Sequence, residues 1–447
     1  MRFFWFSLFL ILPSLGFSQE SEKAIKISPD VHFRSFWMST NYSEDFRDDY
    51  ALGASLYLGA KLDMGKQLKF QLGYRSFANL WSSDISAPDP FSGQMNRYET
   101  GLFDLMNPQD RFFGKLETLS IEYTKSKWGA KLGRMGINID WINAQDGRLS
   151  PTAVEGLQFW FAPSSKWKIN LHGLTRMSIR GSSSWADIGE TVGIYPVGRS
   201  VGGKPSQYFG NTESEWIGIW ELDHRANAMD FHFSQTLVNN ISSTYWARLE
   251  KSFTIREKEK ILLGFQTGFQ HGIGSGGNED PALQYKNPKD KNWAVSGRIG
   301  YSNSRWVTHL NYTKVGGKGR WLSPREWGKD AWYTFVPRER NEGFEDIDAV
   351  VGYLEHRFPK NKIQVYAHIG YHFLPDLDDA AANKYAFPSY RQVNIGLKYN
   401  PTTVKNLDFH FLLMNKESLD NKSLSPNQRY NKVDMLHFNA IVNWKLN

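Results

Sequence analysis

Apolar and polar residues alternate along most of this chain, in short stretches separated by turns. In Lys362-Ile363-Gln364-Val365-Tyr366-Ala367-His368-Ile369, one face holds Ile363, Val365, Ala367 and Ile369, and the other holds Lys362, Gln364, Tyr366 and His368. Side chains alternate at period 2 along a strand, so one face can meet lipid while the other meets water. Eighteen such stretches can be placed, at 31–41, 50–62, 67–78, 112–124, 127–137, 155–163, 166–180, 214–223, 226–238, 242–254, 260–271, 292–302, 305–315, 347–358, 362–374, 389–400, 406–416 and 432–446. Many are near the roughly 9–11 residues with which a tilted strand crosses a bilayer.

The connections fall into two populations. Short ones lie at 64–66, 125–126, 164–165, 224–225, 256–259, 303–304, 359–361 and 402–405, and those between are mostly longer, the longest around 79–111, 181–213 and 316–346. In outer-membrane barrels short turns face the periplasm and long loops face outside. The alternation gives an even strand number with both termini on the short-turn side. The pattern therefore predicts an all-β fold, a closed antiparallel transmembrane β-barrel of about 18 strands. A soluble sandwich would turn a polar face outward, whereas Leu407, Phe409, Phe411 and Leu413 share an apolar face, as do Leu436, Phe438, Ala440, Val442, Trp444 and Leu446. No fixed-period repeat points to a solenoid or propeller.

Residues 1–18 stand apart. Arg2, the apolar run Phe3 to Leu12 and the small residues of Gly16-Phe17-Ser18 read as a secretory signal peptide, leaving 19–447 as a single barrel domain. No Cys follows Ser18, which argues against a lipoprotein anchor. Seventeen Trp within an aromatic content of 15% suit interfacial girdles. The formal net charge of +7 is spread without a dense Lys/Arg tract, so a nucleic-acid partner is not expected.

Candidate chemistry follows from parity. Lys168, His172, Arg176 and Arg180 alternate with Ile169, Leu171, Met177 and Ile179, so they are expected to face the lumen; Arg248 and Arg298 are placed inside by the same rule, as are Lys69 and Arg75. Such a wall offers guanidinium groups to the anionic parts of a passing solute. The plain alternative is that these cations pair with inward acids such as Glu250 and Asp408 and merely hold water. The connection at 138–155 carries Trp141, Ile142 and Leu149, which an exposed loop would not need. Folded inward, it would pack those side chains on the inner wall and bring Asp140, Asp146 and Arg148 to the narrowest part of a pore; an ordinary Asp-Gly turn is the alternative.

Gly133-Arg134, Asn143, Asp146-Gly147-Arg148-Leu149-Ser150-Pro151 and Glu155-Gly156 resemble the third-loop region of the OprD family of outer-membrane porins. Ser323-Pro324-Arg325-Glu326-Trp327-Gly328-Lys329-Asp330, continuing to Pro337-Arg338-Glu339-Arg340-Asn341-Glu342-Gly343, is similar to a loop segment of that family. The resemblance implies an 18-stranded monomeric barrel whose third loop folds inward as a constriction. It also implies passage of small, often carboxylate-bearing solutes past a basic ladder. By that match Asp146 and Arg148 are constriction candidates, Arg176 and Arg180 ladder candidates, and Arg325, Glu326 and Asp330 the loop motif.

The partners expected are small solutes and outer-membrane lipid, with a monomer or a weak homotrimer as the assembly. No enzyme activity, cofactor or metal is expected: neither His-Glu-x-x-His nor His-x-x-Glu-His occurs, and Gly272 to Gly277 opens a polar loop rather than a helix. The competing readings are a barrel lipid hydrolase and a surface adhesion platform.

Overall fold

The computed structural model describes residues 25–42, 45–144, 148–195, 197–420 and 423–446; the signal peptide expected at 1–18 lies outside them. Alternation becomes strand throughout. The first half holds β1 (Ile25–Tyr42), β2 (Asp49–Met64), β3 (Leu68–Ser82), β4 (Phe112–Lys125), β5 (Trp128–Gly136), β6 (Ala153–Ser164), β7 (Trp167–Ser178), the two-residue β8 (Ala186–Asp187) and β9 (Ile217–Ala226). The second holds β10 (Met229–Val238), β11 (Ser242–Arg256), β12 (Glu259–Gly272), β13 (Lys291–Ser302), β14 (Trp306–Lys318), β15 (Ile347–Phe358), β16 (Ile363–Phe373), β17 (Tyr390–Tyr399), β18 (Leu407–Ser418) and β19 (Met435–Lys445). Consecutive strands pair antiparallel, and β1 pairs with both β2 and β19, with Trp37 opposite Ala440. The sheet therefore closes as an 18-stranded barrel, with β8 as an extra strand extending the edge of β7 beyond its pairing with β9. Closure leaves the eighteen barrel strands of the described residues paired on both sides, since a bilayer would not tolerate a free edge.

One turn sits elsewhere than the sequence pattern suggests. The β9–β10 hairpin turns at Asn227-Ala228, both at positive φ, and not at His224-Arg225. A two-residue turn of this kind needs two left-handed residues, and Asn tolerates that conformation.

The outward face carries an apolar belt: Leu72, Leu132, Leu157, Leu263, Ile299, Leu310, Leu354 and Ile395 are all exposed. Trp128, Trp167, Trp306, Tyr399 and Trp444 ring the barrel toward the short turns, and Trp81, Trp216, Trp293, Tyr312 and Phe373 toward the long loops. An aliphatic band between two aromatic girdles is the surface that lipid covers.

The buried core lies inside the barrel, where the long loops fold inward. The segment after β5 passes through three apolar clusters. Trp141 packs edge-on against Trp246 and Trp332, with ring centroids 5.3 and 5.2 Å away, beside Trp321 at 5.7 Å. Ile142 sits among Met135, Val154 and Leu174, and Leu149 among Phe77, Leu102 and Phe103. The third loop is thus folded inward and anchored by the apolar residues that an exposed loop would not need. It is latched to the 319–346 loop: Asn143 N donates to the Trp327 carbonyl (3.1 Å), and Lys329 N donates to Asn143 Oδ1 (3.0 Å). Gln266 and Gln270 hold the 319–346 loop to the wall, each bonding its backbone through both ends of the amide.

Candidate functional site

Below these loops, toward the short turns, lies a water-accessible vestibule of about 1060 Å³. Gly136 to Asp140 and Lys329 to Tyr333 roof it, and the inward faces of β6, β7, β9 to β18 wall it. Lys168, His172, Arg248 and Arg298 line it, where parity places them. Their charges are partly answered. Glu250 lies 3.8 Å from Arg248 and 4.0 Å from Arg298, His172 meets Glu221 at 3.0 Å, and Arg298 stacks its guanidinium over Tyr333, 4.1 Å from the ring centroid. Asp140 is bonded through Oδ2 to His232 Nε2 and Ser234 Oγ, both at 2.8 Å.

Arg338 lines the vestibule and also the next cavity along the lumen, a space of about 20 Å³ enclosed by Arg97, Arg148, Arg180, Arg325, Arg338, Arg340, Tyr98, Tyr195 and Glu339. That volume accommodates about one water. Six arginines converge on this small cavity. Gly101 allows one of them to approach the loop backbone: a Cβ there would lie 2.9 Å from Arg148 Nε.

The arginines reach the cavity from separate segments. Arg180 follows β7 and donates to the Arg325 carbonyl (2.8 Å) while stacking over Tyr195 at 4.4 Å. Arg97 and Arg325 meet Glu339 at 3.2 and 3.1 Å, and Lys416 reaches the same carboxylate at 2.7 Å. Burial pushes the Glu339 carboxyl up, but Arg97, Lys416 and Arg325 more than offset it and hold the group well below the usual carboxylate range. Arg325 also bonds Glu342, yet its buried Nη2 has no hydrogen-bond partner among the described residues. Arg338 takes φ +81°, a left-handed conformation uncommon for a side-chain-bearing residue, and donates from Nε to Asn439 Oδ1 at 2.7 Å.

The acids nearby are already engaged. Asp330 lies 4.0 Å from Arg340 and accepts from Asn341 N, and burial raises its carboxyl to about 6. Glu326 does not face the pore: it accepts backbone N–H bonds from Gly193 and Ile194, and burial raises its carboxyl. Among the described residues the lining carries more arginines than carboxylates.

The structure brings together Arg148, Arg180 and Arg325, places Asp330 beside them, and sets Asp140, Lys168, His172, Arg248 and Arg298 in the vestibule. Asp146 lies outside the described residues. Arg176 departs from its expected position in a ladder with Arg180. Glu155 pairs with Arg176 and Gly156 with Leu174, so Thr175 is an extra residue in β7 that reverses the alternation. Leu174 and Met177 are consequently both buried inside, and Arg176 turns to the outer surface, 3.3 Å from exposed Asp187. Arg134 sits beside it, bonded to Glu155 at 2.7 Å and stacked over Trp185, on the face that carries Leu132 and Leu157. Arg97 and Tyr195 carry no motif that could have signalled them. Arg338, Glu339 and Arg340 lie within the quoted loop segment, and their charge density was a usable signal.

No family model and no curated protein matches the sequence. Solved structures do. The outer membrane protein OpdK of Pseudomonas aeruginosa, determined with vanillate, superposes with a TM-score of 0.70 at 13% identity, over 94% of this chain and 98% of that one. OccK9 (OpdG) of Pseudomonas aeruginosa gives 0.72 at 13%, with the same coverage. OccAB3 of Acinetobacter baumannii gives 0.73 at 11%, over 94% and 99%. These neighbours are outer-membrane porins of the Occ/OprD type, and the chain shares their fold over nearly its whole length.

Proposed function

We propose that this chain is a bacterial outer-membrane porin that passes small polar solutes down their gradient and favours those bearing a carboxylate. The observation that carries the reading is the convergence of six arginines on a small interior cavity of a lipid-belted barrel, with Glu339 the one carboxylate lining it among the described residues. In a small cavity of low dielectric an anion gains far more from those guanidiniums than it would in bulk water. Bidentate donors at several angles suit a planar carboxylate in particular. A structural neighbour solved with vanillate, an aromatic carboxylate, supports the same solute class.

The mixed charge of the vestibule supports uptake of amino acids as well as organic acids. Lys168, Arg248 and Arg298 face Glu221, Asp223 and Glu250 across the same water, so a zwitterion meets both signs before the constriction. Flux is then limited by motion of the arginine side chains, because the resting cavity is smaller than any such solute.

Liposome swelling with purified protein tests the reading. Benzoate-like acids, dicarboxylates and amino acids are expected to enter faster than uncharged sugars of equal size. Equal rates across the panel would contradict the carboxylate preference, and no swelling with any solute would contradict the channel.

A further inference from the structure

Where the third loop meets the wall, carboxylate and imidazole side chains cluster at the top of the vestibule. Asp140 comes from the segment after β5, Glu221 from β9 and His232 from β10. One donor atom from each lies within 4.8 Å of the other two. All three side chains are largely buried, yet they line the water-filled vestibule.

The surroundings hold these donors as a metal site requires. Asp223, cross-strand partner of His232, accepts from its Nδ1 at 2.8 Å and so leaves Nε2 pointing at Asp140. A carboxylate behind the second imidazole nitrogen fixes the tautomer and raises the basicity of the ligating one. Glu221 is oriented in the same way by His172 Nε2 at 3.0 Å. His172 itself is buried, with Nδ1 lacking any hydrogen-bond partner among the described residues. Three carboxylates and two imidazoles thus share one small volume.

We propose that Asp140, Glu221 and His232 bind one divalent first-row transition cation, with Asp223 and His172 as outer-shell positioning residues. The cation would replace the proton shared between His232 Nε2 and Asp140. Its remaining coordination positions would face the vestibule and take water. One imidazole with two carboxylates suits zinc, nickel or manganese better than calcium, which prefers oxygen donors throughout. Because Asp140 belongs to the loop while Glu221 and His232 belong to the wall, the ion would clamp the constriction loop to the barrel. This does not rest on the solute preference or on channel activity.

The test is metal uptake by the full-length barrel, purified, stripped with chelator and titrated with Zn²⁺ against a chromophoric competitor. One Zn²⁺ per barrel is expected, undisturbed by millimolar Ca²⁺ or Mg²⁺, and Co²⁺ in its place should give visible ligand-field bands. Glu221→Gln and His232→Gln should abolish uptake, and Asp223→Asn should weaken it about 10- to 100-fold. Absence of saturable one-to-one uptake by the unaltered protein overturns the proposal, whatever the variants do. So does uptake that persists undiminished in both ligand variants.

Discussion

At the residue scale, the decisive feature is a cluster of arginines held largely out of water around one small cavity. Arg148, Arg180 and Arg338 face the cavity from the third loop, the end of β7 and the 319–346 loop. Replacing any one with Gln keeps a hydrogen-bonding side chain and removes a charge. Each single variant is expected to reduce organic-anion flux several-fold, measured by swelling rates at low ionic strength, where screening is weakest. A second residue-scale consequence concerns Glu99, buried and bonded by Thr40 and Asn96. Burial, with a contribution from Asp49, pushes its carboxyl from 4.5 to about 7. A folded-state value raised in this way means that the unfolded chain releases the proton first. The stabilisation is then complete below the unfolded value and is lost as pH rises through 7. The barrel should resist urea better at pH 5 than at pH 8, by about 3 kcal/mol from this group. Glu99→Gln should flatten that dependence, and an unchanged pH profile in the variant would place its origin elsewhere.

At the element scale, strands were legible because lipid on one side and water on the other impose a period-2 pattern that no tertiary contact overrides. All eighteen barrel strands lie where alternation puts them, with the β9–β10 turn displaced because two left-handed residues, Asn227 and Ala228, decide it. The inward fold of the third loop was also legible, from Trp141, Ile142 and Leu149. The outward turn of Arg176 was not. A one-residue bulge at Thr175 leaves no mark in the apolar pattern, since Thr suits either face. Nor could Arg97 be found, because nothing local in sequence shows that the loop between β3 and β4 comes to rest beside Glu339.

Two outcomes follow at this scale. Trp141→Ala removes the ring on which Trp246, Trp321 and Trp332 converge and is expected to cost about 3–5 kcal/mol, since large-to-small changes in a packed core leave a cavity. Single-channel records should then show larger and noisier currents as the loop loosens; records like those of the unaltered protein would mean that the loop is held by other contacts. Leu310→Arg on the outward face of β14 should destabilise the barrel by about 2–4 kcal/mol in refolding into liposomes, the cost of a charge at bilayer depth.

At the scale of the whole molecule, the barrel sorts its residues radially. Aliphatic side chains between aromatic girdles face out, and loops, tryptophans and buried ion pairs fill one half of the interior. The other half stays open as a vestibule of mixed charge. The two halves meet at Arg338, where six arginines gather around one small cavity. On the proposed function, selectivity would be set by where the loops stop more than by any single wall strand. The direct measurement is the reversal potential of single channels in planar bilayers under a KCl gradient. The unaltered protein is expected to conduct in discrete steps and favour chloride over potassium, and the combined Arg148→Gln, Arg180→Gln, Arg338→Gln variant to lose that preference. A reversal potential that is the same in both proteins, or the absence of discrete conductance, would contradict an arginine-lined pore.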